Sequence, residues 1–260
     1  MKIIAALTLL FTSTAPFVTA LSASPRSTDA LAANGRIPVL IVSGSDAFHD
    51  WRRTTPQLRA QLEDSGRFDV RVVEDAEALA APGMLANYKT VLLNGQTPRS
   101  SPALRRSLRR YVEGGGGLVA LHWAVDNFSD WPGFVDLLGR VWQEGTSVEE
   151  HGRFDVTVLR RHPITAGMSS FFTADREAVH YQLRGTAKVN VLATARSNKT
   201  GEAVPVMITH RVGRGRVFFS PFGHSVASRE GPDIAAMIVR AAEWAATGEL
   251  SRDVTGTAAR

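Results

Sequence analysis

Among its 260 residues the chain has no cysteine. That absence removes disulfides from its stability. It also excludes a thiol nucleophile, thiolate metal ligands and lipidation at an N-terminal cysteine. Long apolar runs are missing as well. The opening stretch "MKIIAALTLLFTSTAPFVTA" is broken by Thr12, Ser13, Thr14 and Pro16, so its apolar part is too short for a membrane span. There is no dense basic block. The net charge is +5, yet the arginines of "RRTTPQLR", "LRRSLRR" and "VGRGR" are scattered and carry no interleaved aromatics, and "LRRSLRR" is the outer face of an amphipathic helix. Nucleic acid is therefore not an expected partner, and neither is a stably inserted membrane.

What is present starts at the same N-terminus. Lys2, an apolar run and the small residues Val18-Thr19-Ala20 have the layout of a cleavable export signal over residues 1–20. The expected location is the periplasm or the exterior. Residues 21–36 are small, polar and aperiodic, which predicts a flexible lead-in. A hydrophobic content of 44% in a chain of this length supports one core, here one domain over 37–248. The polar tail 249–260 is expected to be disordered.

Within the domain, "IPVLIVSG" is a strand closed by Gly44, and "TTPQLRAQLEDSG" predicts a helix capped by Thr55 with Pro56 in its first position. "FDVRVVE" and "TVLLNG" are strands. "SSPALRRSLRRYVEGG" is a helix capped by Ser101, with Leu104, Leu108, Tyr111 and Val112 inward. "GLVALH" is the next buried strand. This rhythm predicts an α/β fold, a doubly wound and mostly parallel sheet with helices on both faces. From Asp126 to about Asp175 the rhythm breaks, and a Trp/His-rich insertion carrying "FDVTVL" is expected. "NVLATA", "VPVMITHRV" and "GRVFFSPFG" follow as strands, the last two as a hairpin, and "PDIAAMIVRAAEWAATG" closes the domain as a helix.

Ligands of such sheets bind where the parallel strands end. The polar residues there are Ser43, Ser45, Asp46, His49 and Asp50, then Asn94 and Gln96, then His122, then His224. In "GGGGLVALHWA" the position after the strand, where many α/β enzymes place a nucleophilic Ser or Cys, is His122. A satisfied core histidine is the bland alternative, and the four glycines argue for close backbone approach instead. His49, His122 and His224 come from three strand ends and could form an open set of ligands for a divalent metal, zinc first. Beside such a metal, a carboxylate such as Asp50 or Glu177 would serve as general base or additional ligand, and His122 could otherwise shuttle a proton. In "DREAVHY", Glu177 and His180 would share one side of a turn through their i, i+3 spacing. His151 and His180, with Asn94, Gln96, Trp123 and Trp131, complete the expected substrate contacts. Phe128, Trp131, Trp142 and Trp123 either pack in the core or offer flat faces to a sugar.

The segments "FHDWRRTTPQLRAQLEDSGRFDVRVVED", "YVEGGGGLVALHWA", "RRHPITAGM" and "GRGRVFFSPFGHS" together resemble the ThuA-like (trehalose utilisation) family, over nearly everything from Ile37 to Thr247. The resemblance implies a flavodoxin-like, class I glutamine amidotransferase-like fold. True amidotransferases carry a Cys where this chain has His122, so that activity is not expected. "DREAVHY" matches the family's acidic segment only loosely. The resemblance further implies disaccharide and keto-sugar catabolism. It makes the chain an exported enzyme that hydrolyses, eliminates or isomerises a glycoside or keto-sugar, or a non-catalytic sugar-binding module. The expected partner is a small saccharide, with a homo-oligomer left open.

Overall fold

Fully apolar segments of five or six residues form the centre of the molecule. The computed structural model describes residues 35–44 and 49–251; the expected signal, nearly all of the lead-in, most of the tail, Ser45 and Asp46 lie outside the described residues. Strands β1 (Ile37–Val42), β2 (Phe68–Val73), β3 (Thr90–Asn94), β4 (Gly117–Leu121) and β9 (Gly215–Ser220) run parallel. Strands β5 (Val148–Val158), β6 (Phe171–Tyr181), β7 (Asn190–Arg196) and β8 (Ala203–Val212) extend the sheet antiparallel. The order is β2-β1-β3-β4-β9-β8-β7-β5-β6. Adjacent residues of β1 serve opposite faces, as the pleat demands. Val39 and Ile41 pack with Leu58 and Leu62 of helix α1 (Trp51–Asp64) and with Ile234, Met237, Ile238 and Ala241 of helix α5 (Pro232–Thr247). Leu40 and Val42 join the cluster that holds Leu104, Leu108 and Val112 of helix α2 (Pro102–Glu113). Two short helices, α3 (Phe134–Leu138) and α4 (Val226–Arg229), complete the count.

Helix α2 starts as its sequence requires, with the Ser101 hydroxyl accepting from the Leu104 N–H at 3.1 Å. Helix α1 does not. It begins at Trp51, four residues before the expected cap, and Pro56 lies inside it. Tertiary bonds fix this turn: the Thr55 hydroxyl accepts from the Asn94 amide at 2.9 Å and meets Ser43, and the Arg229 guanidinium donates to the Thr54 carbonyl at 3.0 Å.

Three further expectations are corrected. Inside the expected insertion β5 starts at Val148, six residues before "FDVTVL", and "DREAVHY" belongs to strand β6 instead of a turn. The glycine run stands at the amino end of β4, away from His122. A Cβ on Gly116 would fall 2.3 Å from the Tyr111 ring and one on Gly117 would fall 2.6 Å from the Ala245 carbonyl, so close packing with α2 and α5 demands them. The first tail residues are tied down: the Ser251 N–H donates to Glu243 at 3.0 Å, and Leu250 packs on the core.

The β5–β6 ribbon positions the site. Val156–Val158 pairs with β7, whereas Val148–Gly152 pairs with β6 alone, and the register shifts between Gly152 and Phe154. Past that bulge the ribbon leaves the sheet and carries its end to the carboxyl edge of the parallel strands.

Candidate metal centre at the carboxyl edge

His122 directly follows β4 with φ of 50°, a left-handed conformation that costs a non-glycine residue about 1–3 kcal/mol. Its Nδ1 lies 2.9 Å from the Pro221 carbonyl oxygen. A carbonyl only accepts, so Nδ1 carries the proton and Nε2 presents a lone pair. Two more imidazole nitrogens meet that lone pair, His49 Nε2 at 2.9 Å and His224 Nδ1 at 2.9 Å. Oε1 of Glu149, from β5, stands 3.8 Å away. Ligand atoms of His49, His122, Glu149 and His224 all lie within 4.8 Å of one another.

One lone pair can accept one N–H comfortably, so a neutral explanation leaves this convergence poorly satisfied, whereas a cation would satisfy every donor atom at once. Three neutral imidazoles and a carboxylate are the donor types of zinc and its neighbours. Ligands bonded at about 2.0–2.1 Å around a four-coordinate ion stand roughly 3.3 Å apart, so the two 2.9 Å nitrogen pairs would open by a few tenths of an ångström and the wider separations, 3.8 Å from Glu149 to His122 among them, would close. The carbonyl behind His122 is the outer partner that a ligating histidine ordinarily has.

The electrostatics agree. Burial, then the neighbouring His180, His49 and His224, holds the His122 imidazole well below its ordinary value and therefore neutral. Burial, then His49, His151 and His180 against an opposing pull from Glu149, lowers His224 to about 4. Burial pushes the Glu149 carboxyl up, but hydrogen bonds and charge from His180 and His151 outweigh it and hold it ionised. His180 Nε2 lies 3.2 Å from Glu149 Oε1, and His151 Nε2 lies 3.2 Å from Oε2.

The other sequence candidates fall into three places. Asp50 is exposed and lines, with His49, Arg53, His224 and Glu230, a cleft of about 440 Å³ that opens beside the cluster. Glu177, expected as a general base, is buried behind the His224 loop. It accepts the Gly223 N–H at 2.9 and 3.0 Å and the His224 N–H at 3.2 Å, and burial raises its carboxyl to about 7. Asn94, expected to touch substrate, is buried too, donating to Thr55 and accepting from Arg229 Nη2 at 2.6 Å. His180, also expected there, has a fully buried side chain that stacks on His122 at 5.1 Å and braces Glu149. Trp123 stands 6.0 Å from the His49 ring and 4.8 Å from Trp142. Trp131 is apart from the histidines, packed on Phe128 and Phe134, and Gln96 donates to Asp126. Ser43, the polar residue just past β1, is buried against Thr55.

Glu149 was missed. The sequence held one signal for it, the two-residue spacing from His151, which puts both side chains on one face of a strand. The buried Glu150 between them, accepting from Ser197 at 2.6 Å, inverts the apolar alternation and disguises the strand as a loop.

Comparison with known proteins places this geometry in a family. No curated protein matches the sequence. Among solved structures, a putative ThuA-like protein from Parabacteroides merdae is 25% identical, with a TM-score of 0.72 over 84% of this chain and 92% of that one. Another from Bacteroides uniformis is 20% identical, with a TM-score of 0.70 over 84% and 94%. A cytoplasmic protein from Salmonella typhimurium shares the fold at 14% identity, with a TM-score of 0.62 over 81% and 100%. The ThuA family, described as trehalose utilisation, matches residues 38–245, and the chain belongs to it.

Proposed function

We propose that this ThuA-like protein is an exported, metal-dependent enzyme acting on a glycoside or keto-sugar, with zinc as its metal. The observation that carries the reading is the convergence of His49, His122, Glu149 and His224 on one point, with His122 fixed in the ligand tautomer by Pro221. His122 is buried and held neutral, which suits a ligand better than a proton carrier. When bound, a divalent ion supplies Lewis acidity toward a sugar carbonyl or hydroxyl. The chain's own groups do the rest. The cleft beside His49 and His224 admits the substrate, and Asp50 at its rim accepts a proton from a hydroxyl or carbon next to the activated group. His151, exposed beside Glu149 and with its ring 4.9 Å from His224, orients substrate hydroxyls. The sugar itself comes from family membership.

Elemental analysis of the purified protein tests the metal. About one equivalent of zinc per chain is expected in the wild type and almost none in His122→Ala or His224→Ala. Turnover of glycosides and 3-keto-sugars, sensitive to chelator and lost in His122→Ala, would establish the enzyme. A protein that binds no metal and works equally well without His122 would overturn the reading. Saturable saccharide binding without turnover, indifferent to chelator, would make it a sugar-binding module.

A further inference from the structure

Helix α5 carries a buried cation that the protein itself leaves unsatisfied. Arg240 is 3% exposed, and its Nε and Nη1 have no hydrogen-bond partner among the described residues. Asp233, two turns back along the helix, is the carboxylate whose charge acts on it. The third nitrogen, Nη2, lies 3.6 Å from the point a Cβ on Gly167 would occupy, and Gly167 lines a hollow of about 770 Å³ on the outside of the molecule. We propose that this hollow is a binding site for a phosphate group joined to a short apolar part. The proposal is independent of what the histidine cluster does.

The lining defines the ligand. Arg160, Arg161 and His162 stand around the hollow, and no carboxylate does. Both arginines are exposed, and no ion pair among the described residues engages either guanidinium. Guanidinium groups match the geometry of oxyanions, offering two N–H groups at a time. Two at the rim and a third behind Gly167 favour a doubly charged phosphate over a singly charged carboxylate. The remaining wall is apolar, with Val158, Leu159 and Met168. Leu159 is 52% exposed and Phe171, which opens the neighbouring strand β6, is 56% exposed. An apolar group beside the phosphate would cover part of that surface. The volume lies within the ordinary range of small-molecule pockets.

The backbone that presents these groups is fixed in advance. The Thr165 hydroxyl donates to the Arg160 carbonyl at 2.8 Å and accepts the His162 N–H at 3.1 Å. His162 Nδ1 accepts the Ile164 N–H at 3.2 Å, its ring lies 4.9 Å from that of Trp244, and Ile164 is fully buried. A loop held this way loses little freedom on binding. Energetics point in the same direction. A guanidinium buried with unsatisfied N–H groups is costly to the fold alone, and an oxyanion at Nη2 offsets that cost. The hollow is also remote from the metal centre. Val158 and Glu149 are nine residues apart on β5, roughly 30 Å along the strand.

Calorimetric titration of the protein with hexyl phosphate, hexanoate and inorganic phosphate tests the site. Sedimentation with vesicles of phosphatidylcholine and about one fifth phosphatidic acid tests the source of the phosphate. Hexyl phosphate is expected to bind about tenfold more tightly than either hexanoate or inorganic phosphate. Arg240→Met keeps the packing and removes the charge. It should bind hexyl phosphate about tenfold more weakly, yet unfold at no lower temperature than wild type when no ligand is present, which a merely structural arginine would not allow. The double variant Arg160→Gln/Arg161→Gln changes only exposed side chains, so it should fold and lose affinity at least as far. It decides alone if Arg240→Met does not fold. Equal binding by His122→Ala is expected, so the result stands whether or not the histidines hold zinc. Vesicle sedimentation abolished in the arginine variants would make a lipid headgroup the source; hexyl phosphate binding without sedimentation would make it a soluble ester. Hexyl phosphate bound no better than hexanoate, or bound equally by wild type and the folded arginine variants, would overturn the site.

Discussion

His122 occupies a strained position of the kind that α/β enzymes give to a nucleophile, and its own hydrogen bond leaves Nε2 with the lone pair that the proposed ligand role needs. Histidine takes φ of 50° more readily than a bulky or branched residue would, and the Pro221 carbonyl settles its tautomer. The residue type was legible in "LVALHWA"; the tautomer was not, because Pro221 is 99 positions away. Glu177 shows the same limit. It was read as a base, yet both its oxygens are spent on the backbone that presents His224. Glu177→Ala should therefore leave two N–H groups without an acceptor, at about 1–3 kcal/mol each. A lower midpoint in urea denaturation and reduced zinc content are the expected readouts. Glu177→Gln, which keeps one acceptor oxygen, should recover part of both. Zinc content unchanged in Glu177→Ala would deny it any role in positioning His224.

At the scale of elements, the glycines of "GGGG" mark helix–strand contact, not chemistry. Gly117, the last of them, opens a five-residue strand and His122 directly follows it, about 16 Å apart. Gly117→Ala must push its Cβ against the Ala245 carbonyl, so a loss of about 1–3 kcal/mol in chemical denaturation is expected with zinc content unchanged. Helix α2 gives a pH-dependent case at its start. Asp130 accepts from the Ser100 N–H at 3.1 Å, the Ser100 hydroxyl at 2.9 Å and Arg105 at 2.8 Å. Burial, the largest single influence, raises its carboxyl, and the Ser100 and Arg105 bonds with the Arg105 charge together outweigh it and lower the carboxyl below the ordinary value. The folded state then holds this proton less tightly than the unfolded chain, so the stabilisation is complete above the ordinary carboxylate value of about 4 and is lost as pH falls from there through the lowered value. Solvent screening limits it to about 0.5–1 kcal/mol. Asp130→Asn should be less stable than wild type by that amount at pH 7, and the difference should shrink as pH falls below the ordinary carboxylate value of about 4.

For the whole molecule, the proposed export signal predicts that protein recovered from the periplasm or medium of a producing cell has an intact mass lacking residues 1–20. Full-length mass in that fraction would contradict cleavage. Among the described residues no helix is long and apolar enough to cross a membrane. Local pattern was enough for the strands of the parallel half, for α2 and α5 and for the β8–β9 hairpin, because short-range periodicity and capping decide such elements. It placed three of the four clustered groups at strand ends as well. Pattern alone could not extend β5 back to Val148, nor deliver Glu149 to histidines 27, 75 and 100 residues distant in the chain. That step depends on a bulge that peels the β5–β6 ribbon off the sheet, and on four antiparallel strands whose pairing is settled by long-range contact. The placing of the three histidines at strand ends was thus set by local sequence, and their meeting with Glu149 by the order in which distant strands hydrogen-bond.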